Sequence, residues 1–317
     1  MLRPAPLKRG DVVRVVAPSG PFDPQAFEDG LEVLRSRLGL VPRMRADIGA
    51  RAAYLAGDDA RRLEEWREAA SDPEARAIWC ARGGYGAMRI LPRLEAARLL
   101  HPPKLVVGFS DITAIHVALN RAGLATVHGP VVTQLGRLGP ESLDHLEALL
   151  FGGPPPPAER RAPVAPRPGR GVLAGAVLRA GVTSGPLLGG SLTVLSHLCG
   201  TPWQPRFAGA VLFLEDVGER PYRIDRMLTQ LRLSGALDRV AAICLGQFTQ
   251  CDDPDMTGIE VARRLAFELN VPAIEGVQAG HEDVNLALPL GPVATVVAPR
   301  HPEEGPPRLV FEQGATA

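Results

Sequence analysis

The chain has 317 residues, of which 45% are hydrophobic and 22% charged, a balance that suits a globular protein of one large or two ordinary domains. Lys+Arg and Asp+Glu number 35 each, so the basic excess that neutralises nucleic-acid phosphates is missing. Four cysteines without a C-x-x-C pair argue against a disulfide framework and a structural zinc, and no apolar run reaches the length of a signal region or membrane span.

A soluble, cytoplasmic protein with no nucleic-acid and no membrane partner is the expectation. Taken in order, Val12 to Ala17 forms a first buried strand, turned by Pro18-Ser19-Gly20. Pro24 to Leu38 is a helix stopped by Gly39, and Leu40 to Met44 a short strand. Asp58 to Ala70 is a second helix with Leu63, Trp66 and Ala70 on one face. Ala75 to Ala81 is a buried strand leading straight into Arg82-Gly83-Gly84-Tyr85-Gly86, then a helical stretch to about Leu100. Leu105 to Val107 forms the next buried strand, and Asp111 opens a helix running to Gly123. Thr126 to Pro130 is a strand and turn. Alternating strands and helices predict a parallel sheet covered on both faces. In such a sheet the ligand crevice lies beyond the carboxyl ends of the strands, where four small-residue loops converge.

Phe151 to Gly171 holds seven prolines and almost no core residues, the composition of a semi-rigid linker. It divides the chain into residues 1–150, a linker at 151–170, and residues 171–317. Beyond it come Val172 to Ala180, a glycine-rich stretch, and a helix from Ser191 to Leu198. Strands follow at Ala210 to Leu214, Val240 to Phe248 and Ala273 to Val277, with helices at Pro221 to Leu233 and Gly258 to Leu269. Val284 to Leu288 and Pro292 to Val297 are expected to form a hairpin. Cys80 and Cys244, within apolar strands, are expected to be buried thiols.

Ser110 falls between a strand and a helix, the setting of a nucleophile elbow. On this stretch alone a helix N-cap is the simpler explanation of the serine. A serine nucleophile needs a base held by a third group. His281 lies in a loop after Gly280, and Glu215 ends a buried strand, where an unpaired carboxylate is costly. His128 is a second pocket histidine. Asp216 competes with Glu215, but neighbouring strand residues face opposite ways, so only one enters the cleft. The other caps a backbone or pairs with Arg220 or Arg223. Three glycines in Arg82 to Gly86 indicate close backbone approach to a ligand, making Arg82, Gly83 and Tyr85 candidate contacts. Arg82 could orient a carboxylate or form a structural salt bridge.

Seven segments together carry a resemblance: ARGGYG (81–86), GFSDIT (108–113), HGP (128–130), LLGGSL (187–192), LFLEDVGERPYRIDRMLTQL (212–231), GQFTQC (246–251) and GHEDVNLALPLG (280–291). In order and over nearly the whole chain, they resemble the LD-carboxypeptidases, serine peptidases that include muramoyltetrapeptide carboxypeptidase and the microcin C immunity protein. The resemblance implies a triad of Ser110, Glu215 and His281, with the Gly84 and Asp111 backbone N–H groups as oxyanion hole. It implies a flavodoxin-like α/β sheet with helices on both faces, followed by a smaller β-rich domain. It also implies a homodimer, and a murein tetrapeptide cut before its terminal D-Ala. No metal or organic cofactor is implied. Ser191 stands where the family commonly has Asn in GGN-L, which touches a candidate substrate contact. Two alternatives stay open: an amide hydrolase of peptidyl-nucleotides, whose pocket should show an aromatic platform, and a non-catalytic peptide or nucleotide binder on the same frame.

Overall fold

The computed structural model describes residues 1–152 and 171–317; the linker expected at 151–170 therefore lies almost wholly outside the described residues. The first sheet is built from β1 (Val12–Val16), β2 (Val41–Arg43), β3 (Ala75–Cys80), β4 (Leu105–Gly108) and β5 (Thr126–His128), all parallel, in the order β5-β4-β3-β1-β2. This is the 2-1-3-4-5 order of a flavodoxin-like sheet, whose switch point lies between β1 and β3. Every residue of β4 is buried, as a central strand covered on both faces requires.

The intervening helices start where the sequence supplies caps. α1 (Pro24–Glu32) has proline in its first turn and Asp23 accepting from the Ala26 N–H at 2.9 Å. It passes into five residues of π-helix, Val33–Arg37. α2 (Asp59–Ser71) is capped by Asp58. The stretch after Gly86 is not one helix: α3 (Ala87–Ile90) gives way to two short 3-10 turns, Leu91–Arg93 and Ala96–Leu99. Pro92 cannot supply a backbone donor, and Glu95 is left-handed at φ 53°. α4 (Thr113–Arg121), α5 (Val132–Leu135) and α6 (Pro140–Phe151) complete the half.

The second sheet has eight strands in the order β6-β14-β13-β8-β9-β10-β11-β7: β6 (Gly171–Leu173), β7 (Ala176–Arg179), β8 (Gly181–Ser191), β9 (Val211–Val217), β10 (Ala242–Thr249), β11 (Ala273–Glu275), β13 (Val293–Ala298) and β14 (Arg308–Phe311). β8 to β11 run parallel, and the flanking strands antiparallel. α7 (Leu192–His197), α8 (Pro221–Leu233) and α9 (Gly258–Leu269) belong to this half; a Thr257–Glu260 capping box opens α9.

β12 (Leu288–Leu290) does not form the expected hairpin. It pairs antiparallel with β5, joining the first sheet, while β13 joins the second. Gly291 at φ 103° makes the turn, and its N–H donates to Leu187 O at 2.7 Å. The two strands therefore fasten the halves together. Cys80 and Cys244 are buried in β3 and β10, and burial pushes both thiols well above their usual pKa. No described helix is long and apolar enough to cross a membrane.

Candidate active site

β4 ends at Gly108, and the backbone then bends sharply. Phe109 is extended at φ −154° while Ser110 takes φ +64° and begins a one-turn 3-10 helix, Ser110–Ile112, leading into α4. A left-handed conformation costs a serine about 1–2 kcal/mol, strain of the kind a nucleophile elbow stores. Gly83 lies directly against it: a Cβ at Gly83 would sit 2.8 Å from Ser110 Cβ and 3.0 Å from its Oγ.

Three loops are tied together around this turn. The Asp111 carboxylate accepts from Ser19 Oγ at 2.6 Å and from the Ala87 N–H at 2.8 Å. Gly20 N–H donates to Gly83 O at 3.0 Å. Fully buried Arg62 donates to Pro18 O and, at 2.8 Å, to Gly86 O. Burial pushes the Asp111 carboxyl above the usual range, opposed by the hydrogen bonds from Ser19 and Ala87. The ends of β1, β3 and β4 are thereby locked at the switch point. Among the described residues no acceptor takes the N–H of Gly84 or of Asp111.

The second half contributes from β9. Glu215 is fully buried, and its Oε2 lies 2.7 Å from His281 Nδ1. With Nδ1 donating to the carboxylate, Nε2 is left as the acceptor. Burial pulls the His281 pKa down, but the charge and hydrogen bond of Glu215 outweigh it and hold the imidazole above its ordinary value. The His281 ring also packs on Phe109, with centroids 4.7 Å apart. Gly280, at φ 142°, brings this loop close: a Cβ there would meet Gln247 Oε1 at 3.0 Å and Glu215 Oε2 at 3.1 Å.

Both halves pin the His281 loop. Gln247 Oε1 accepts from Glu282 N–H at 3.1 Å, and its amide donates to Val284 O at 2.8 Å. Fully buried Asn285 accepts from Gly280 N–H at 3.1 Å and donates to Gln134 Oε1 at 2.9 Å. Ser110 and His281 line one cleft of about 600 Å³, together with Arg82, Gly83, Gly84 and Arg137. Such walls can present a hydroxyl nucleophile, an imidazole base and free backbone donors to one bound group.

Other expected residues take different places. Asp216 is a cap: it accepts from Thr193 N–H at 2.6 Å and from its neighbour Val217 N–H at 2.8 Å, while Arg220 pairs with Asp253 and Arg223 with Glu219. Ser191 is buried as the N-cap of α7, and its N–H donates to Thr113 Oγ1 at 3.1 Å, so it braces the halves instead of lining the cleft. His128 is fully buried, its ring edge-on to Phe109 and Phe213. Tyr85 is half exposed against Tyr54, with rings 5.6 Å apart. Arg82 donates to Pro21 O and forms no ion pair among the described residues. No described group of three or more His, Cys, Asp or Glu could hold a metal. Gln134 and Arg137 carry no sequence signal; Gln247 and Asn285 lie inside the GQFTQC and GHEDVNLALPLG segments without a spacing that assigns them a part.

Comparison with known proteins fits this geometry. The LD-carboxypeptidase N-terminal domain profile matches residues 13–129, and the LD-carboxypeptidase C-terminal domain profile matches residues 184–296. The chain is 35% identical to the murein tetrapeptide carboxypeptidase of Pseudomonas aeruginosa, over 90% of this chain and 92% of that one. It is 26% identical to the microcin C7 self-immunity protein of Escherichia coli, over 90% of each. The crystal structure of muramoyltetrapeptide carboxypeptidase from Oxalobacter formigenes superposes with a TM-score of 0.82 at 29% identity, covering 96% of this chain and 99% of that one.

Proposed function

The chain belongs to the LD-carboxypeptidase family, and from that premise we propose that it is a serine carboxypeptidase releasing terminal D-Ala from murein tetrapeptides through Ser110, Glu215 and His281. The observation that carries this reading is the 2.7 Å contact of His281 with buried Glu215, on the wall of the cleft that also exposes Ser110. His281 Nε2 takes the proton from Ser110 Oγ as that oxygen attacks the scissile carbonyl. Glu215 fixes the tautomer and stabilises the imidazolium. The Gly84 and Asp111 N–H groups hold the oxyanion, helped by the first turn that leads into α4. His281 then hands its proton to the leaving amine, and a water activated by the same imidazole releases the acyl group.

The test is mass spectrometry of products from a panel of tetrapeptides with L- and D-termini. Release of D-Ala alone is expected; no cleavage, or cleavage indifferent to the terminal centre, refutes the reading. The same reading includes a cytoplasmic homodimer, checked by light scattering on the purified protein.

One observation favours a second reading. Tyr54 and Tyr85 form an exposed aromatic pair beside Gly84, a platform on which a base could stack in a peptidyl-nucleotide amide. Including such an amide in the panel separates the two.

A further inference from the structure

A carboxypeptidase must recognise one group that the interior of a peptide lacks, the free terminal carboxylate. We propose that Arg137 receives that carboxylate, an assignment that rests on the carboxypeptidase reading above. Arg137 lines the cleft with Ser110 and His281. It is exposed, and among the described residues its guanidinium has neither an ion pair nor a hydrogen-bond acceptor. The other arginine on the cleft wall, Arg82, spends a donor on Pro21 O. Asp23 is the acidic residue on the cleft wall, and its carboxylate already caps α1. The cleft wall thus presents two guanidinium groups to an incoming anion, with the Asp23 carboxylate engaged by α1 and the buried Glu215 carboxylate engaged by His281. A planar guanidinium with all donors free matches a carboxylate bidentately.

Its backbone is tied to the loop that carries His281. Arg137 N–H donates to Gln134 O at 3.1 Å. Gln134 is held by Asn285 at 2.9 Å and reaches Glu282 O at 3.4 Å, on the loop that carries His281. A terminal carboxylate that meets Arg137 is thereby held beside the loop that carries the imidazole. There is a second effect. Burial and, as the smallest influence, the Arg137 charge lower the His281 pKa, against the Glu215 charge and hydrogen bond and the Asp216 charge that raise it. A bound carboxylate offsets that charge, so the imidazole becomes a stronger base when the correct substrate is present.

The experiment compares a tetrapeptide acid with the same peptide bearing a C-terminal carboxamide. Wild-type enzyme should prefer the acid. Arg137→Ala should lose that preference through a KM for the acid raised about 10–100-fold, the worth of a charge-assisted hydrogen bond. Arg137→Lys should recover part of it. The acid limb of the kcat profile, which reports the bound enzyme, should lie above that of kcat/KM in wild type by more than in Arg137→Ala. Melting temperatures serve as the folding control. An undiminished acid preference in Arg137→Ala overturns the assignment, as does a preference lost in Arg82→Ala instead. Wild-type enzyme inert toward both peptides overturns the carboxypeptidase reading itself, and this assignment with it.

Discussion

His281 Nδ1 and Glu215 Oε2 lie 2.7 Å apart, with the carboxylate fully buried and the imidazole one-sixth exposed. The pair joins a loop to the end of β9 and leaves one imidazole nitrogen to face the cleft. Glu215→Gln keeps the shape but removes the charge. It should slow kcat by roughly 10³–10⁴-fold, as expected when a triad acid no longer fixes its histidine. Steady-state kinetics with a melting control decide it; a variant within tenfold of wild type would exclude Glu215 as the triad acid.

The pH dependence follows from the same pair. A base works only when neutral, so kcat/KM should fall as pH drops through the His281 pKa, which Glu215 holds above its ordinary value. In Glu215→Gln burial is left as the main influence, and it lowers the pKa, so the acid limb should move to lower pH. Stability runs the other way. A histidine whose folded pKa is raised contributes stability that is complete below its unfolded pKa, about 6.5, and lost as pH rises through the folded value. The gap in Tm between wild type and Glu215→Gln should accordingly narrow on the alkaline side. An acid limb that stays in place would contradict the coupling.

Ser110→Ala should abolish turnover without unfolding the chain, and Ser110→Gly is the sharper variant. Glycine enters the left-handed region without the serine's cost, against an unfolded-state penalty of about 0.5–1 kcal/mol. Ser110→Gly should therefore melt at or slightly above the wild-type temperature while remaining inactive. A Tm several degrees lower would mean that the turn is not strained, and residual hydrolysis would remove the serine from the mechanism.

Gly83→Ala tests the floor under Ser110. The added carbon meets Ser110 Cβ at 2.8 Å, so one of the two must shift. A displacement of a few tenths of an ångström to an ångström should cost up to about 100-fold in kcat with a small change in Tm. Wild-type kinetics in this variant would show that the Ser110 position is not critical.

Asp216→Asn should act on stability more than on rate. The carboxylate accepts two backbone N–H bonds, and the amide can replace only one acceptor, at a cost of about 1–3 kcal/mol at neutral pH. Burial and then the Glu215 charge push the Asp216 carboxyl up to about 6. Because its folded pKa exceeds its unfolded one, wild-type stability should decline as pH rises from about 4 to 6, and the Asn variant should lack that decline. Loss of catalysis in Asp216→Asn with Glu215→Gln unaffected would reverse the assignment of the two carboxylates.

What the sequence made legible was local or carried by long motifs. Leu105 to Thr113 announces a strand, a turn and a helix within nine residues, so the place of Ser110 could be read directly. The helix starts read at Asp58, Pro221 and Gly258 lie within a residue of the observed ones. β8 was opaque because GVTSGPLLGGS has the composition of a loop. Its glycines answer to tertiary packing: a Cβ at Gly185 would lie 2.2 Å from Gly209 O, and one at Gly189 1.9 Å from Phe213 O. Arg137 and Gln134 were invisible for the same reason. Both lie against a loop nearly 150 residues away, and no periodicity encodes that. Ser191 shows the converse, a motif position whose hydroxyl serves a helix cap.

The strand Leu288–Leu290 bears on how the chain is made. During synthesis the five parallel strands of the first sheet emerge early, with β5 as an open edge on which a neighbouring nascent chain could pair. The segment that closes this edge follows His281 by only a few residues. The ribosome therefore delivers His281 and the edge cover almost together, after the five parallel strands. A chain stopped before His281 lacks both the imidazole that pairs with Glu215 and the strand that covers β5, so premature termination leaves an open sheet edge, an aggregation hazard.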